Sequence, residues 1–143
     1  MKRIIVAVSG GFDPVHVGHI RLFQAAKKLG DELVVILNND HWLKKKKGYV
    51  FMKQSDRKEI IEAFRVVDRV IVTRHRGNDM SVVNELKALR PTIFANGGDR
   101  KSGNIRSEEG LALASWGGRE VFNVGGKKIR SSSKLAHSVS RKT

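Results

Sequence analysis

Short runs of β-branched and apolar residues alternate along the chain with segments whose apolar positions recur at helical spacing. Arg3 to Val8 is a compact apolar run of the kind that predicts a buried strand. Ser9-Gly10-Gly11 interrupts it. Ile20, Leu22, Phe23, Ala26 and Leu29 then follow near helical spacing, and Gly30 stands where glycine commonly ends a helix. Glu32 to Leu37 predicts a second strand, leading into a polar, lysine-rich stretch read as a loop. Ser55 is the expected cap of a helix carrying Ile60, Ile61 and Phe64, and Asp68 to Thr73 predicts a third strand. Asn78 or Asp79 opens a helix with Val82, Val83, Leu86 and Leu89, which Pro91 closes. Thr92 to Ala95 is the fourth strand, followed by the glycine loop Asn96-Gly97-Gly98-Asp99. Ser107 with Glu108 and Glu109 opens another helix, ended by Gly117-Gly118. Glu120 to Val124 is the fifth strand, and Ser131-Ser132-Ser133 starts a last helix.

Strands alternating with helices need crossover connections, and these make the strands parallel. Right-handed crossovers then lead to a Rossmann-like doubly wound five-stranded parallel sheet in three α/β/α layers, one α/β domain over residues 1–143. In such sheets ligands bind beyond the carboxyl ends of the strands, near the switch point. The loops at that end are Ser9 to Gly18, Asn38 to Gln54, Arg74 to Asn78, Asn96 to Arg106 and Gly125 to Ser133.

Composition agrees and adds a partner. With 143 residues, 40% hydrophobic and 29% charged, the chain can bury one core, which excludes a disordered tail or a disulfide miniprotein. Without cysteine there is no thiol nucleophile and no Cys-ligated metal. The early apolar run Ile4 to Val8 is far shorter than a membrane span of about 20 residues, so the expectation is a soluble, cytoplasmic protein without a membrane partner. The formal charge of +14 points to anionic partners. His41 to Lys58 holds seven basic residues against one acid, and Gly125 to Thr143 six against none, so the rest of the chain is nearly balanced. Both segments fall on the expected carboxyl rim.

The first of those loops carries the sharpest signal, Ser9-Gly10-Gly11-Phe12-Asp13-Pro14-Val15-His16-Val17-Gly18-His19. Glycines at a strand end let backbone N–H groups approach a phosphate, and the helix N-terminus that follows favours negative charge. His16 and His19, three apart at that positive end, could donate hydrogen bonds to phosphate oxygens.

Gly11-Phe12-Asp13-Pro14-x-His16-x-Gly18-His19 resembles the signature of the cytidylyltransferase-like nucleotidyltransferases. Arg65-Val66-Val67-Asp68-Arg69-Val70-Ile71 resembles the Arg-Tyr-Val-Asp-Glu-Val-Ile string of glycerol-3-phosphate cytidylyltransferases, and Asp56-Arg57 stands where that family has an acidic residue shortly before an arginine. Asn96-Gly97-Gly98-Asp99 resembles the Lys-Gly-Gly-Asp loop of the adenylyltransferase domain of ADP-heptose synthases. Ile129-Arg130-Ser131-Ser132-Ser133-Lys134-Leu135 resembles the family's closing Ile-Ser-Thr-Thr or Ser-Ser-Ser motif. The four motifs stand in the family's order and cover nearly the whole chain.

The resemblance implies transfer of a nucleoside monophosphate from an NTP, CTP first and ATP next, to a phosphorylated small molecule such as glycerol 3-phosphate or a sugar phosphate. Pyrophosphate is released. Such a transfer rests on positioning and charge neutralisation rather than on a protein nucleophile. By that resemblance His16 and His19 contact the triphosphate, and Lys44 or Lys46, or their neighbours Lys45 and Lys47, reach the α- or β-phosphate from a mobile loop. Gly10, Gly11, Phe12, Asp13, Gly98 and Asp99 frame the nucleotide. Arg130 with Ser131, Ser132 and Ser133 holds the β- and γ-phosphates, and Mg²⁺ bridges phosphate oxygens. Asp40 and Arg65 are the candidate acceptor contacts. The resemblance further implies a homodimer.

Departures leave base and acceptor open. Gly97-Gly98-Asp99 replaces the Gly-Asp-Asp of glycerol-3-phosphate enzymes, and Pro14 is more typical of adenylyltransferases. The rival reading is an inactive relative that binds nucleic acid through the basic rim. Against it, aromatic residues make up only 6% and are not interleaved with the basic runs as stacking platforms.

Overall fold

The computed structural model describes residues 3–98 and 108–126. They form β1 (Ile5–Gly10), α1 (Val17–Lys27), β2 (Glu32–Leu37), α2 (Asp40–Lys47), α3 (Gln54–Glu62), β3 (Arg69–Val72), α4 (Val83–Leu89), β4 (Ile93–Ala95), α5 (Glu108–Ser115) and β5 (Arg119–Val121). The sheet runs β3-β2-β1-β4-β5 with every pair parallel. Val6 lies opposite Leu33 on one side and Ile93 on the other, so β1 is central. The chain reverses its direction of winding between β1 and β4, and that is the switch point.

Strand alternation divides the core between the faces. Val6 and Val8 pack with Phe23 and Ala26 of α1, Leu33, Val35, Leu37 and Ile61 of α3. Ala7, between them in sequence, packs on the other face with Ile36, Phe94, Leu86 of α4 and Leu113 of α5. The Rossmann-like three-layer α/β/α architecture read from the sequence is therefore the observed one. Among the described residues no helix is long and apolar enough to cross a membrane.

Several local readings change. The lysine-rich stretch is not a loop but the helix α2, because the Asn39 side chain caps its start by accepting from the Trp42 amide and Gly48, at φ +86°, closes it. Ser55 caps nothing; α3 begins one residue before it, with Lys53 at the cap position. The fourth helix starts at Val83 rather than near Asn78. β1 continues through Ser9 and Gly10, whose partners are Ile36 and Leu37. Gly30 is there for space: a Cβ would stand 2.7–2.8 Å from Ile4 and Val6 atoms, so the turn from α1 into β2 packs directly against the chain entering β1.

Asp68 ties the other end of the sheet together. Its Oδ2 accepts from Lys27 Nζ at 2.6 Å and from the Leu33 amide at 2.8 Å, while its own amide donates to Leu33 O at 3.0 Å. Desolvation pushes this carboxyl upward, but the Lys27 and Leu33 hydrogen bonds and the charges of Lys27 and Arg3 outweigh it. The group sits below its ordinary value of 3.8.

Candidate active site

The chain leaving β1 turns sharply over its own end. Phe12 sits at φ +50°, an unusual conformation for a non-glycine residue, held by burial of its ring edge-on against Phe23, with centroids 5.2 Å apart. The ring folds back over Gly10, where a Cβ would come within 2.9 Å of it. At Gly11 a Cβ would meet Leu43 at 2.8 Å and Trp42 at 3.2 Å, so α2 lies directly against the loop. The glycine pair thus serves close packing, and neither residue has positive φ.

His16 and His19 form the cap of α1. Nδ1 of His16 accepts from the Gly18 amide at 3.1 Å, and Nδ1 of His19 accepts from the His16 amide at 3.1 Å, a reciprocal capping box made of two imidazoles. Their rings stack with centroids 3.7 Å apart and planes 25° from parallel, and Phe12 meets His19 edge-on at 4.8 Å. Because both Nδ1 atoms accept, each neutral ring carries its proton on Nε2. The helix has no acidic residue in its first turn, which leaves its positive end for an anion. The arrangement is a pair of oriented N–H donors at a helix N-terminus.

Two buried charges hold the surrounding loops. Asp13, fully buried, accepts from the amides of Phe51 and Met52, each at 2.6 Å. It stands at the motif position that implied a nucleotide contact, but both its oxygens are engaged by the segment between α2 and α3. Arg57, also fully buried, donates from Nη1 to Gly11 O and Asn38 O, from Nε to Met52 O and from Nη2 to Asp40 Oδ1, all at 2.7–2.8 Å. One guanidinium therefore joins the loops after β1 and β2 to the chain entering α3, and it occupies the Asp40 carboxylate named as an acceptor contact. A sequence signal existed: Arg57 is in phase with Ile61 and Phe64, a charge on the apolar stripe of its helix.

Lys44, Lys45 and Lys46 are exposed in the last turn of α2, with Lys46 Nζ 5.9 Å from the Trp42 ring centre. They belong to a helix anchored by Trp42, whose Nε1 donates to Met80 O at 3.1 Å, and not to a free loop. Arg65 is exposed in the turn before β3, at the amino end of the sheet, opposite the carboxyl rim. It does not join the other candidates, because a helix returning antiparallel to the strands delivers its C-terminus to that end. Gly98 follows β4 on the correct rim, beside the buried Asn96. Asp99, Arg130, Ser131, Ser132 and Ser133 lie outside the described residues.

Sequence reasoning missed His75. It is buried at the carboxyl end of β3, with Nε2 2.9 Å from Asn38 Oδ1, while its carbonyl accepts from Asn39 Nδ2 at 3.0 Å. No motif marks it; only the fold brings it beside Asn38.

No group of three or more His, Asp or Glu residues among the described ones is placed to hold a metal ion. Asp13 is closed to a cation by its two amide donors, and one oxygen of Asp40 is taken by Arg57. The described residues do not build a resident Mg²⁺ cage.

Known proteins are similar to this chain in sequence and fold. The FAD synthase of Pyrococcus abyssi is 43% identical over 101 residues, covering 69% of this chain and 66% of that protein. The bifunctional protein HldE of Koribacter versatilis is 35% identical over 117 residues, 80% of this chain and 23% of the relative. A lipopolysaccharide core biosynthesis protein of Thermoplasma volcanium superposes with a TM-score of 0.72 at 28% identity, covering 89% of this chain and all of that one. The matched segment thus spans just under two thirds of the length of the FAD synthase. The cytidylyltransferase-like family description matches residues 7–120, from the middle of β1 into β5. The strand order, the histidine cap and this match all rest on the same residues, and the chain belongs to the cytidylyltransferase-like family of nucleotidyltransferases.

Proposed function

We propose that the protein transfers AMP from ATP, taken up as its magnesium complex, to the phosphate of FMN, forming FAD and pyrophosphate. The observation that carries the transfer is the stacked imidazole pair that caps the start of α1, a helix N-terminus of the kind that receives a triphosphate. The likeness to FAD synthases supports the donor and the acceptor. The sequence had favoured CTP; the names of these relatives move the reading to adenine.

In the proposed reaction an FMN phosphate oxygen attacks the α-phosphorus. The bond from that phosphorus to the β-bridging oxygen breaks, and its electron pair leaves with pyrophosphate. A phosphate ester is already anionic at neutral pH, so the attack needs no general base. It needs donors aimed at the charge that builds on the phosphoryl oxygens. His16 and His19 supply them, held by Phe12 and the capping bonds. Lys44, Lys46 and their neighbours add positive charge at the rim, and Arg130 with Ser131, Ser132 and Ser133 takes the β- and γ-phosphates. Mg²⁺ arrives on the nucleotide and neutralises phosphate charge.

The test is a matrix of four NTPs against FMN, glycerol 3-phosphate and a sugar 1-phosphate, read as pyrophosphate release and as FAD formed. ATP with FMN is expected to stand alone. Turnover of CTP with glycerol 3-phosphate would replace this reading with the sequence's first one. Absence of turnover with any NTP, together with tight RNA binding at physiological salt, would favour the nucleic-acid rival. The homodimer and cytoplasmic location belong to the same reading; light scattering at assay concentration should return twice 16.0 kDa.

A further inference from the structure

Among the described residues, the exposed large aromatics are Tyr49, 39% exposed, and Phe51, 49% exposed, and both stand on the segment between α2 and α3. The composition had suggested that aromatics keep apart from the basic runs; here two stand between Lys47 and Lys53. Isolated surface hydrophobics need no explanation, but here the backbone at Phe51 and Met52, two and three residues after Tyr49, is pinned by two buried charges. Asp13 takes the amides of Phe51 and Met52 at 2.6 Å, and Arg57 takes the Met52 carbonyl at 2.8 Å while holding Gly11 O with another nitrogen. Two fully buried charges fasten Phe51 and Met52, in the six-residue connection from Gly48 to Lys53, to the loop that carries His16 and His19. Rigid backbone with solvent-facing rings is the arrangement of a stacking platform, since little ordering entropy remains to be lost on binding.

Topology suggests which substrate it serves. A nucleotide is expected over the β1–β4 switch point, whereas this segment follows β2 on the other side of β1, beyond the lysine-bearing end of α2. We propose that Tyr49 and Phe51 form a stacking platform for the planar ring of the acceptor, and so determine the enzyme's preference for an aromatic phosphorylated acceptor. The inference rests on the adenylyl-transfer reading above and narrows its acceptor.

FMN fluoresces and is quenched on stacking, so binding can be read without turnover. The experiment titrates FMN with wild type, Phe51→Ala, Tyr49→Ala and Phe51→Trp, and measures KM for FMN and for ATP by pyrophosphate release. Circular dichroism serves as the folding control. Loss of one stacking partner is expected to weaken FMN binding by about 10–100-fold. The KM for FMN should rise in step, the KM for ATP should stay within about twofold, and Phe51→Trp should restore binding. If wild type makes FAD and both alanine variants keep its KM for FMN, the platform is wrong while the reaction stands. A rise in the KM for ATP instead would assign the rings to the nucleotide base. A wild-type protein that neither binds nor adenylylates FMN overturns the acceptor and the platform together. Single-stranded RNA binding at physiological salt that is lost in Phe51→Ala, without turnover in wild type, would give the rings to nucleic acid.

Discussion

The imidazole of His16 lies on the amide of Gly18: Nδ1 accepts that N–H at 3.1 Å, and a Cβ on residue 18 would stand 2.9 Å from His16 Cε1. The glycine in the His-x-Gly-His string is therefore space for a ring. Gly18→Ala should push His16 off the helix end. A better helix former gains about 1 kcal/mol while the lost cap costs about as much, so Tm should hardly move. Single-turnover rates should fall about 10–100-fold. A Gly18→Ala protein with the wild-type rate would show that this contact does not set the ring.

His16→Ala and His19→Ala should remove transition-state donors more than ground-state binding. A donor of this kind is worth about 3–4 kcal/mol, or roughly 10²–10³ in kcat. Nucleotide affinity should change much less. Lys44 to Lys47 share one helix end, so single alanines should be partly compensated and the quadruple change should not. Nucleotide titration beside single-turnover kinetics separates the two effects.

Arg57→Met tests the buried guanidinium. It strands three carbonyls and the Asp40 carboxylate, and breaking a buried pair of this kind costs about 3–5 kcal/mol. Asp40, partly exposed, should be the milder partner when changed to Asn. Urea denaturation of both variants and the double variant gives the coupling. Additive losses would mean that the pair does not act as a unit.

Asp68 predicts an acid limb in stability. Its folded value is depressed, so between that value and the unfolded 3.8 the unfolded chain binds more protons and stability rises with pH. The contribution is complete above 3.8 and disappears as pH falls through the folded value. Asp68→Asn should flatten urea midpoints over that window while leaving the shape near neutrality unchanged. An unaltered acid limb would remove Asp68 as its source.

The fold was legible because β-branched runs and helical stripes alternate without interruption, and the histidine loop because its residue types are rare at a strand end. What stayed hidden depended on distance. Asp13 stood in a motif and was taken for a ligand contact, but its partners Phe51 and Met52 are 38 and 39 residues away. Lysines crowded together look like a loop until Asn39 and Gly48 are recognised as the two ends of a helix. Arg65 carried the correct charge in a resembling string, yet strand direction puts it at the far edge. Arg57 was the readable miss: a cation in phase with Ile61 and Phe64 has to be buried.

The central place of β1 also orders events in time. β1 is made first and can pair with β2 once Leu37 has emerged, but its other edge waits for Ile93 and Phe94. Both histidines are thus synthesised some seventy residues before the crevice beside them can close. A nascent chain of intermediate length exposes the unpaired side of β1, an invitation to association that the complete sheet withdraws. The crevice at the switch point can therefore form only after β4 has docked.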